Sequence, residues 1–394
     1  MVLLAKKRGF FVGLAAGLAL AAGFLFLLVS FNTWHLGNAF KAISLIQARA
    51  LEPLSVVEIV DGAMTGIVEK LDDPYSVYLE PEDYQSLQTQ MKGTYGGLGI
   101  YVGIPEETKR LTVMAPIKGT PAARAGIKSG DEIWEIDGKD ASEMDIDTAV
   151  GLMKGPAGTK VTLGIKSADE KTVRQIQLTR EIIEIPSVEG KVLDSYPDLA
   201  YVSISMFNDM TGQELYDTIN NLTRENKCRG LILDLRNNPG GSLNAAVDAG
   251  GLFVPKGEPV VWLVDKQKTE ALPSAGNLVN LPLVVLINKG SASASEILAG
   301  AIKDVKAGTL VGETSFGKGI VQSVFELGAG AALKITTAKY LTPLKTDIHK
   351  KGIEPDVQVP IPEGTDPAVI YSTDPEQDIQ LKKAVEILQA KING

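Results

Sequence analysis

The spacing of apolar residues divides the chain into segments of different structural type. An uncharged run rich in Leu, Ala, Phe and Gly covers residues 9–31. Over residues 41–90 the apolar positions instead recur at intervals close to 3.6, as in amphipathic helices that pack on a protein body. A turn at 71–75 (LDDPY) interrupts this region. We therefore predict an N-terminal helical segment over residues 37–91.

Residues 93–180 change to short alternating strands separated by glycine-rich turns. Residues 95–102 (YGGLGIYV) lead from such a turn into the first strand, and 137–138 (DG) is a typical hairpin pair. Thr120 and Pro121 suit the N-cap and the first position of a short helix. The predicted strands are 111–115, 132–136, 161–166 and 172–178, and the predicted helices are 120–126 and 146–153. This pattern predicts a β-rich domain over residues 92–181.

The order of these elements resembles a PDZ domain. The residues in the place of the PDZ loop that binds a peptide carboxylate are Gly97, Leu98, Gly99 and Ile100. The stretches 120–126 (TPAARAG) and 130–138 (GDEIWEIDG) follow at distances typical of such domains. In a PDZ domain the N–H groups of the loop bind the carboxylate, and the following strand edge pairs with the peptide as an added strand. The helix at 146–153 comes near the end of the module, which leaves a permuted strand order open.

The second half of the chain alternates between strands and helices after a predicted linker at 182–197. The predicted strands are 200–206, 230–235, 260–264, 283–287 and 332–339, and the predicted helices are 211–223, 244–253, 296–302 and 377–391. Such alternation is typical of an α/β layer built on a mostly parallel sheet. We predict an α/β core over residues 182–360 and a C-terminal helical segment over residues 361–394.

Composition and charge narrow the location and the partners. The net charge of −9 and the pI of about 5.0 argue against a nucleic acid partner. The single cysteine, Cys228, excludes an intrachain disulfide. Three basic residues, 6–8 (KKR), precede the apolar run, which is long enough to cross a membrane and is not followed cleanly by a cleavage site. We therefore expect residues 1–36 to be an uncleaved anchor rather than a cleaved signal peptide, with the bulk of the chain exported.

The candidate chemistry lies in residues 288–322. A buried strand leads there into a serine-rich turn, and a Gly-Lys-Gly loop that follows could fold back close to that turn. The chain has only two histidines, so a Ser-His-Asp triad could use only His349. A serine nucleophile with a lysine base needs no histidine, provided that burial lowers the pKa of the lysine until it is neutral near pH 7. We therefore predict that Ser293 is the nucleophile and Lys318 its base.

Three further groups would complete such a site. Gln322 is predicted to lie on the same side of a strand as Lys318, so that its amide could bond the lysine amine. The N–H of Ala294 is expected at a helix N-terminus, where backbone donors are free to bind an oxyanion. The turn 239–241 (PGG) ends a different strand at the same edge, and glycine allows its backbone to approach a ligand closely.

Several sequence blocks resemble the C-terminal processing (tail-specific) serine peptidases, in particular the bacterial membrane-anchored or exported type with a PDZ domain. These blocks are 71–79 (LDDPYSVYL), the PDZ-like module, 233–241 (LDLRNNPGG), 290–296 (GSASASE) and 312–322 (GETSFGKGIVQ). The resemblance implies that Ser293 is the nucleophile, that Lys318 is its base and that Gln322 orients the lysine. It also implies that Gly241 and Ala294 donate to the oxyanion.

The same resemblance implies a fold, a substrate class and an architecture. The α/β core would be ClpP/crotonase-like, with the PDZ-like domain inserted before it. The enzyme would cleave proteins near their C-termini, with the PDZ module capturing the tail and often gating the activity. No metal and no cofactor are expected. Amphipathic helices at 55–71 and 377–391 leave room for a homodimer.

Three alternatives explain parts of the pattern. Residues 312–318 fit the phosphate-loop pattern GxxxxGK, but Gly319 follows instead of Ser or Thr and residues 320–327 alternate as a strand, so no nucleotide site is expected. The serines could merely cap the next helix, which would leave the glycines around Lys318 unexplained. The chain could also be a non-catalytic, membrane-anchored PDZ adaptor, although the retained nucleophile and base favour a peptidase.

Overall fold

The computed structural model describes residues 34–393 apart from 168, 169, 171, 367, 368, 370 and 371, together with the isolated Gly17 and Gly23. The predicted anchor therefore lies almost entirely outside the described residues. Within them, no helix is both long and apolar enough to span a membrane. The chain divides into two compact units, one with Met1–Glu80 and Val324–Ile335, the other with Pro81–Ser323 and Thr336–Gly394.

The described part of the first unit contains two α-helices and a short antiparallel ladder. Its elements up to Glu80 are α1 (Trp34–Arg49), α2 (Val56–Glu69) and β1 (Val77–Leu79). Ser55 and Glu58 form a capping box at the start of α2, in which each side chain accepts from the backbone N–H of the other. β1 pairs with residues 332–334, and the Tyr78 hydroxyl donates to Asp61 Oδ1 at 2.7 Å. The exposed apolar side chains of the unit include Leu51, Val56, Val57, Val60 and Ile67.

The second unit begins with a helix and continues into a β-rich region. These elements are α3 (Pro81–Lys92), β2 (Thr94–Gly97), β3 (Ile100–Gly103), β4 (Thr112–Pro116), α4 (Pro121–Arg124), β5 (Glu132–Ile136), β6 (Lys139–Asp140), α5 (Ile146–Met153), β7 (Lys160–Lys166) and β8 (Arg174–Thr179). An antiparallel sheet has the order β3-β4-β5-β7-β8, so β3 lies at an edge. Thr120 precedes α4 as predicted, but its hydroxyl donates to the carbonyls of Gly99 and Ile117 instead of capping the helix.

The predicted linker at 182–197 is wrong, because this stretch contains strands. They are β9 (Glu181–Glu184), which pairs with β2, and β10 (Val188–Leu193), which pairs with β11 (Tyr196–Ile204). β9 buries one side chain and β10 buries two, so the apolar pattern of each is weak. Both strands are stabilised by their hydrogen-bonded ladders to a partner strand. The partner of β9 lies far away in the sequence, whereas β10 and β11 form a local hairpin.

The remaining elements form an α/β core and a second, smaller sheet. They are α6 (Thr211–Arg224), β12 (Gly230–Asp234), α7 (Leu243–Gly250), β13 (Pro259–Val264), β14 (Thr269–Pro273), β15 (Leu283–Ile287), α8 (Ala294–Asp304), β16 (Thr309–Gly312), β17 (Ile320–Glu326), β18 (Ala332–Leu341), β19 (Val357–Gln358) and α9 (Ile379–Asn393). The main sheet has the order β10-β11-β12-β15-β16-β19, and only its β10–β11 pair is antiparallel. In the smaller sheet, β13 pairs with β14 and with the end of β18.

The main sheet is covered by helices on both faces. All residues of β12 and β15 are buried, which explains their continuous apolar runs. Leu231 and Leu233 pack in a core with side chains of α6, α7 and α8, whereas Ile232 packs with Leu381 and Leu388 of α9. Since parallel strands end at the same edge, the turns that follow β12 and β15 lie beside each other.

Candidate active site

The serine-rich turn joins the end of β15 to the start of α8. Its outer serines are fully buried, and their hydroxyls donate to backbone carbonyls that follow β12. Ser291 Oγ donates to Leu235 O at 2.8 Å, and Ser295 Oγ donates to Asn238 O at 2.9 Å. Ser293, between them, is partly exposed and has φ 54° and ψ −114°, a backbone conformation that L residues rarely adopt. Ser293 therefore differs from the two outer serines in its exposure and in its backbone conformation.

The glycine turn after β12 lies directly against this serine. Gly240 has φ 102°, and a Cβ there would lie 2.7 Å from Ser293 Cβ and 2.9 Å from Ala294 N. The fully buried Asn238 holds the turn in place. Its Nδ2 donates to Ile204 O at 2.7 Å, and its Oδ1 accepts from Gly240 N–H at 2.9 Å. Position 240 therefore requires glycine, because any side chain would push the two turns apart.

Two backbone N–H groups at these turns are available to a ligand. Ala294 is the first residue of α8, and its N–H has no acceptor among the described residues. The N–H of Gly241 likewise has no acceptor in the part of the chain that the structure describes. The N–H groups of the residues on either side, Gly240 and Ser242, do have acceptors. Both groups belong to turns that meet at Ser293. This arrangement suits the binding of an oxyanion.

Lys318 lies in the loop between β16 and β17 and is partly exposed. A Cβ at Gly317 would lie 2.8 Å from Gly352 N. A Cβ at Gly319 would lie 2.8 Å from His349 N. The glycines on both sides of the lysine are therefore explained by close packing against the 347–352 loop. His349 contributes its backbone and Cβ to this packing.

Gln322 lies on β17, whereas Lys318 precedes that strand. Gln322 is the third residue of β17, which begins only at Ile320, so the strand alternation used to place both side chains on one face does not extend to the lysine. The Gln322 amide donates to Thr336 Oγ1 on the neighbouring β18 at 3.4 Å. The structure thus gives Gln322 a partner on β18, which the sequence did not indicate.

The predicted carboxylate loop joins β2 to β3, with Gly97 and Ile100 at its ends. Leu98 is buried in the core of the β-rich domain, and Gly99 has φ 73°. The N–H groups of Leu98 and Gly99 have no acceptor within the described ranges, whereas the Gly99 carbonyl accepts from Ile117 N–H at 2.9 Å. A groove of about 180 Å³ lies beside the loop and is lined by residues that include Tyr95, Val150, Met153, Lys154 and Ile185. Free donors next to an edge strand suit an added peptide strand.

Comparison with known proteins agrees with this geometry. Residues 198–359 match the family model of peptidase family S41, residues 112–167 match that of a PDZ domain, and residues 32–83 match that of the activating protease CtpB N-terminal domain. A carboxyl-terminal-processing protease of Synechocystis sp. is 41% identical over 335 residues, which are 83% of this chain and 76% of the relative. The chain belongs to peptidase family S41.

Other S41 relatives match over similar or longer stretches. The carboxy-terminal-processing protease of Bartonella bacilliformis is 34% identical over 429 residues, covering 98% of this chain and 96% of that protein. The carboxy-terminal processing protease CtpA of Bacillus subtilis is 36% identical over 325 residues, covering 82% of this chain and 68% of that protein. A solved photosystem II D1 C-terminal processing protease is 30% identical, with a TM-score of 0.49, and the match covers 89% of this chain and 97% of that chain. From the family models and relatives, the protein is a serine-type peptidase with a PDZ domain.

Glu296 is a buried acid of this S41 site that sequence reasoning missed. It lies in the first turn of α8 and has no exposed surface. Its Oε2 accepts from Ser293 N–H at 2.9 Å and from Lys318 N–H at 2.8 Å. Its Oε1 accepts from Ser315 Oγ at 2.5 Å and from Gly317 N–H at 2.7 Å. A glutamate three positions after a serine usually indicates a capping box, so the sequence showed no sign of the contacts to the lysine loop.

Tyr340 holds the other side of the serine-rich turn. From β18, its hydroxyl donates to Ser293 O at 3.1 Å. Burial first, and then the nearby Glu296, raise the pKa of Tyr340 well above its usual value. The hydroxyl therefore stays protonated at any working pH and remains a donor to the turn.

A buried ionic cluster supports the glycine turn and was also missed. The Arg236 side chain is 1% exposed and pairs with Asp234 at 2.6 Å and with Asp378 at 2.7 Å. Burial disfavours the guanidinium charge, but Asp234 and then Asp378 raise the pKa of Arg236 above its ordinary range. The Tyr201 hydroxyl also donates to Asp234 Oδ2 at 2.7 Å. The cluster connects the end of β12, which leads into the glycine turn, to the residue that precedes α9.

Proposed function

We propose that this S41 peptidase is an exported endopeptidase that captures the C-terminal tail of a protein with its PDZ domain and cleaves through a Ser293–Lys318 dyad. The observation that carries the proposal is the meeting of three segments: the strained serine turn, the glycine turn and the lysine loop. The relatives described above are processing proteases, which supports the same substrate class.

The proposed reaction follows the two-step scheme of serine peptidases. Neutral Lys318 accepts the proton of Ser293 Oγ as the oxygen attacks the scissile carbonyl carbon. The carbonyl oxygen becomes an oxyanion, which accepts from the N–H groups of Gly241 and Ala294. Lys318 then gives its proton to the leaving amine, and an ester between the substrate and Ser293 remains. A water molecule, activated by the same amine, hydrolyses this ester, while Gln322 orients the lysine.

The PDZ domain would select a protein substrate by the residues at its C-terminus. The tail would pair with the open edge of β3 as an added strand, with its carboxylate on the free N–H groups of Leu98 and Gly99. The last side chain would enter the groove beside Ile100, which favours an apolar residue. Occupation of this groove would also gate the peptidase.

The experiment that tests the proposal follows cleavage of an unfolded protein that ends in apolar residues. We expect Ser293→Ala to lower kcat by at least about 10³-fold. Ser291→Ala is the matched control, because Ser291 is buried and bonded to Leu235 O, and it should retain activity per folded molecule. If wild type binds the tail but neither wild type nor Ser293→Ala cuts the substrate, the non-catalytic adaptor is the correct alternative.

The identity of the base is tested by a substitution that keeps its charge. Arginine cannot become neutral near pH 7, so Lys318→Arg should be inactive although it folds. In the wild type, kcat/KM should rise with pH as the ammonium group loses its proton, since only the neutral amine is a base. Activity in Lys318→Arg would contradict the dyad.

Location and assembly are further parts of the proposal. The apolar run at 9–31, preceded by basic residues, supports a membrane anchor with the catalytic part outside the cytoplasm. The full chain should then resist alkaline extraction from membranes, and release into the supernatant would contradict the anchor. The exposed apolar side chains on α1 and α2 support a homodimer, and the parallel strand pairs support a ClpP/crotonase-like core.

A further inference from the structure

We propose that Glu296 is a positioning residue that holds the Ser293 turn and the Lys318 loop at the separation the reaction needs. The inference rests on the proposed function and gives a role to a carboxylate that lies in the site without reaching the substrate. Because Glu296 has no exposed surface, it does not contact the substrate and acts on catalysis only through neighbouring groups.

A single oxygen of Glu296 connects the nucleophile to the base. Oε2 accepts from the N–H groups of both Ser293 and Lys318, at 2.9 and 2.8 Å. Because both N···O distances are below 3 Å, the two backbone nitrogens lie less than ~6 Å apart. Oε1 binds the lysine loop twice more, through Ser315 Oγ and Gly317 N–H. The carboxylate therefore fixes the loop at three points and the serine turn at one.

A carboxylate is the side chain that suits these contacts. All four bonded groups are N–H or O–H donors, and both oxygens of an ionised glutamate accept without donating. Glutamine has the same shape, but its NH₂ group would face two of these donors. Aspartate keeps the charge but is one methylene shorter, so it cannot reach the turn and the loop at the same time.

The serine turn depends on such support because its backbone is strained. A residue with φ 54° and ψ −114° keeps this conformation only where its surroundings hold it. Glu296 holds the N–H of Ser293, and the Tyr340 hydroxyl holds its carbonyl at 3.1 Å. Without the carboxylate contact the turn would relax, and Ser293 Oγ would move away from the amine of Lys318.

The charge of Glu296 also acts on the base. A nearby negative charge favours the ammonium form, so replacing Glu296 by a neutral residue makes the amine of Lys318 lose its proton at lower pH. Besides Glu296, the titratable residues against the lysine loop include Tyr340 on β18, whose N–H donates to Gly319 O, and His349, Lys350 and Lys351, whose backbone atoms pack on Gly317 and Gly319. Asp347 accepts from His349 N–H. These residues are the same in the wild type and in a Glu296 variant, so a difference in pH dependence reports the Glu296 carboxylate.

The test compares the full-length wild type with Glu296→Gln and Glu296→Asp on a peptide substrate over a range of pH. We expect Glu296→Gln to lower kcat about 10²-fold with KM within about twofold. The rising limb of kcat/KM should shift to lower pH. Glu296→Asp should also lower kcat but should keep the position of the limb. A role in stability alone would move neither the limb nor kcat per folded molecule.

Glu214→Gln is the matched control. Glu214 lies in the first turn of α6, and its carboxylate accepts from Ser187 N–H at 2.8 Å and from Ser187 Oγ at 2.7 Å. Like Glu296 it accepts from a backbone N–H and a hydroxyl, but it contacts neither the serine turn nor the lysine loop. We expect Glu214→Gln to keep kcat and the position of the limb, and a loss equal to that of Glu296→Gln would overturn the proposal.

The outcomes separate the positioning role from the proposed function. An active Glu296→Gln enzyme with kcat within about threefold of wild type, or with an unshifted limb, would overturn the positioning role. An inactive wild type whose Ser293 does not react with a phosphonate probe would instead contradict the proposed function. If Glu296→Gln does not fold, Ser315→Ala replaces it, since it removes one of the four donors. It should lower kcat about fivefold at unchanged KM, and unchanged kcat would again overturn the role.

Discussion

The contact between the glycine turn and the serine turn can be tested by adding a single methyl group. In Gly240→Ala the new Cβ would lie 2.7 Å from Ala292 O and from Ser293 Cβ, and 2.9 Å from Ala294 N. Ordinary van der Waals contact begins at 3.4 Å, so the two turns must separate by roughly half an ångström or more. The turns that would have to separate carry the two N–H groups proposed to bind the oxyanion.

The expected size of the effect follows from two terms. A side chain at φ 102° costs about 1–2 kcal/mol of stability, because L residues avoid left-handed backbone conformations. Removing one oxyanion donor costs about 10²–10³-fold in kcat, and a shift of part of an ångström is a milder change. We therefore expect kcat to fall about 10²-fold, equivalent to about 2.7 kcal/mol, with KM nearly unchanged.

Steady-state cleavage of a peptide gives kcat and KM, and urea denaturation gives the free energy of unfolding. The control is Gly257→Ala, because Gly257 also has a positive φ, 83°, but a Cβ there would meet no atom within 4 Å. Both variants should lose stability, Gly240→Ala more because its Cβ is also crowded, and only Gly240→Ala should lose kcat. The reasoning would be refuted if Gly240→Ala kept more than about a third of the wild-type kcat, or if both variants lost it equally.

Two further predictions concern the peptide groove and the buried ionic cluster. Gly99→Ala should raise KM about tenfold for substrates with a free apolar C-terminus but not for amidated ones, because its Cβ would lie 2.4 Å from the Thr120 side chain. Gly119→Ala, with a similar φ and open space, is its kinetic control and should leave both KM values unchanged. Asp378→Asn should lower the free energy of unfolding in urea by roughly 3 kcal/mol, because buried Arg236 loses one of its two counter-charges. A loss below about 1 kcal/mol, as for a surface pair, would contradict this coupling.

The parts of the fold that the sequence predicted are those with strong local signals. β12 and β15 are buried on both faces, so their continuous apolar runs stand out from the surrounding sequence. The α/β alternation and the β-rich domain follow from the same kind of signal, and β17 extends over most of the predicted 320–327. β9 was missed because its pairing with the distant β2, and not its own apolar content, makes it a strand. β10 was missed because its own apolar pattern is weak, although its partner β11 follows it directly.

The candidate site shows the same division between local and distant signals. The serine-rich turn, the glycine turn and the Gly-Lys-Gly loop are visible in the sequence because each needs small residues within a short stretch. Glu296 and the Arg236–Asp378 pair were not visible, since the partners of each lie far along the chain. A buried carboxylate and a buried guanidinium are explained only by what the fold brings to them.

The short edge strand β3 limits the sequence specificity with which a tail could be bound. β3 has four residues, so an added strand can form a ladder over only about four residues, or about 13 Å. Bonds between backbone groups are the same for every sequence, which leaves the last one or two side chains as the specific part. The tail must also be extended over its whole bound length, and a helical or folded end could not pair. Selection would therefore depend more on whether a protein's end is disordered than on its sequence.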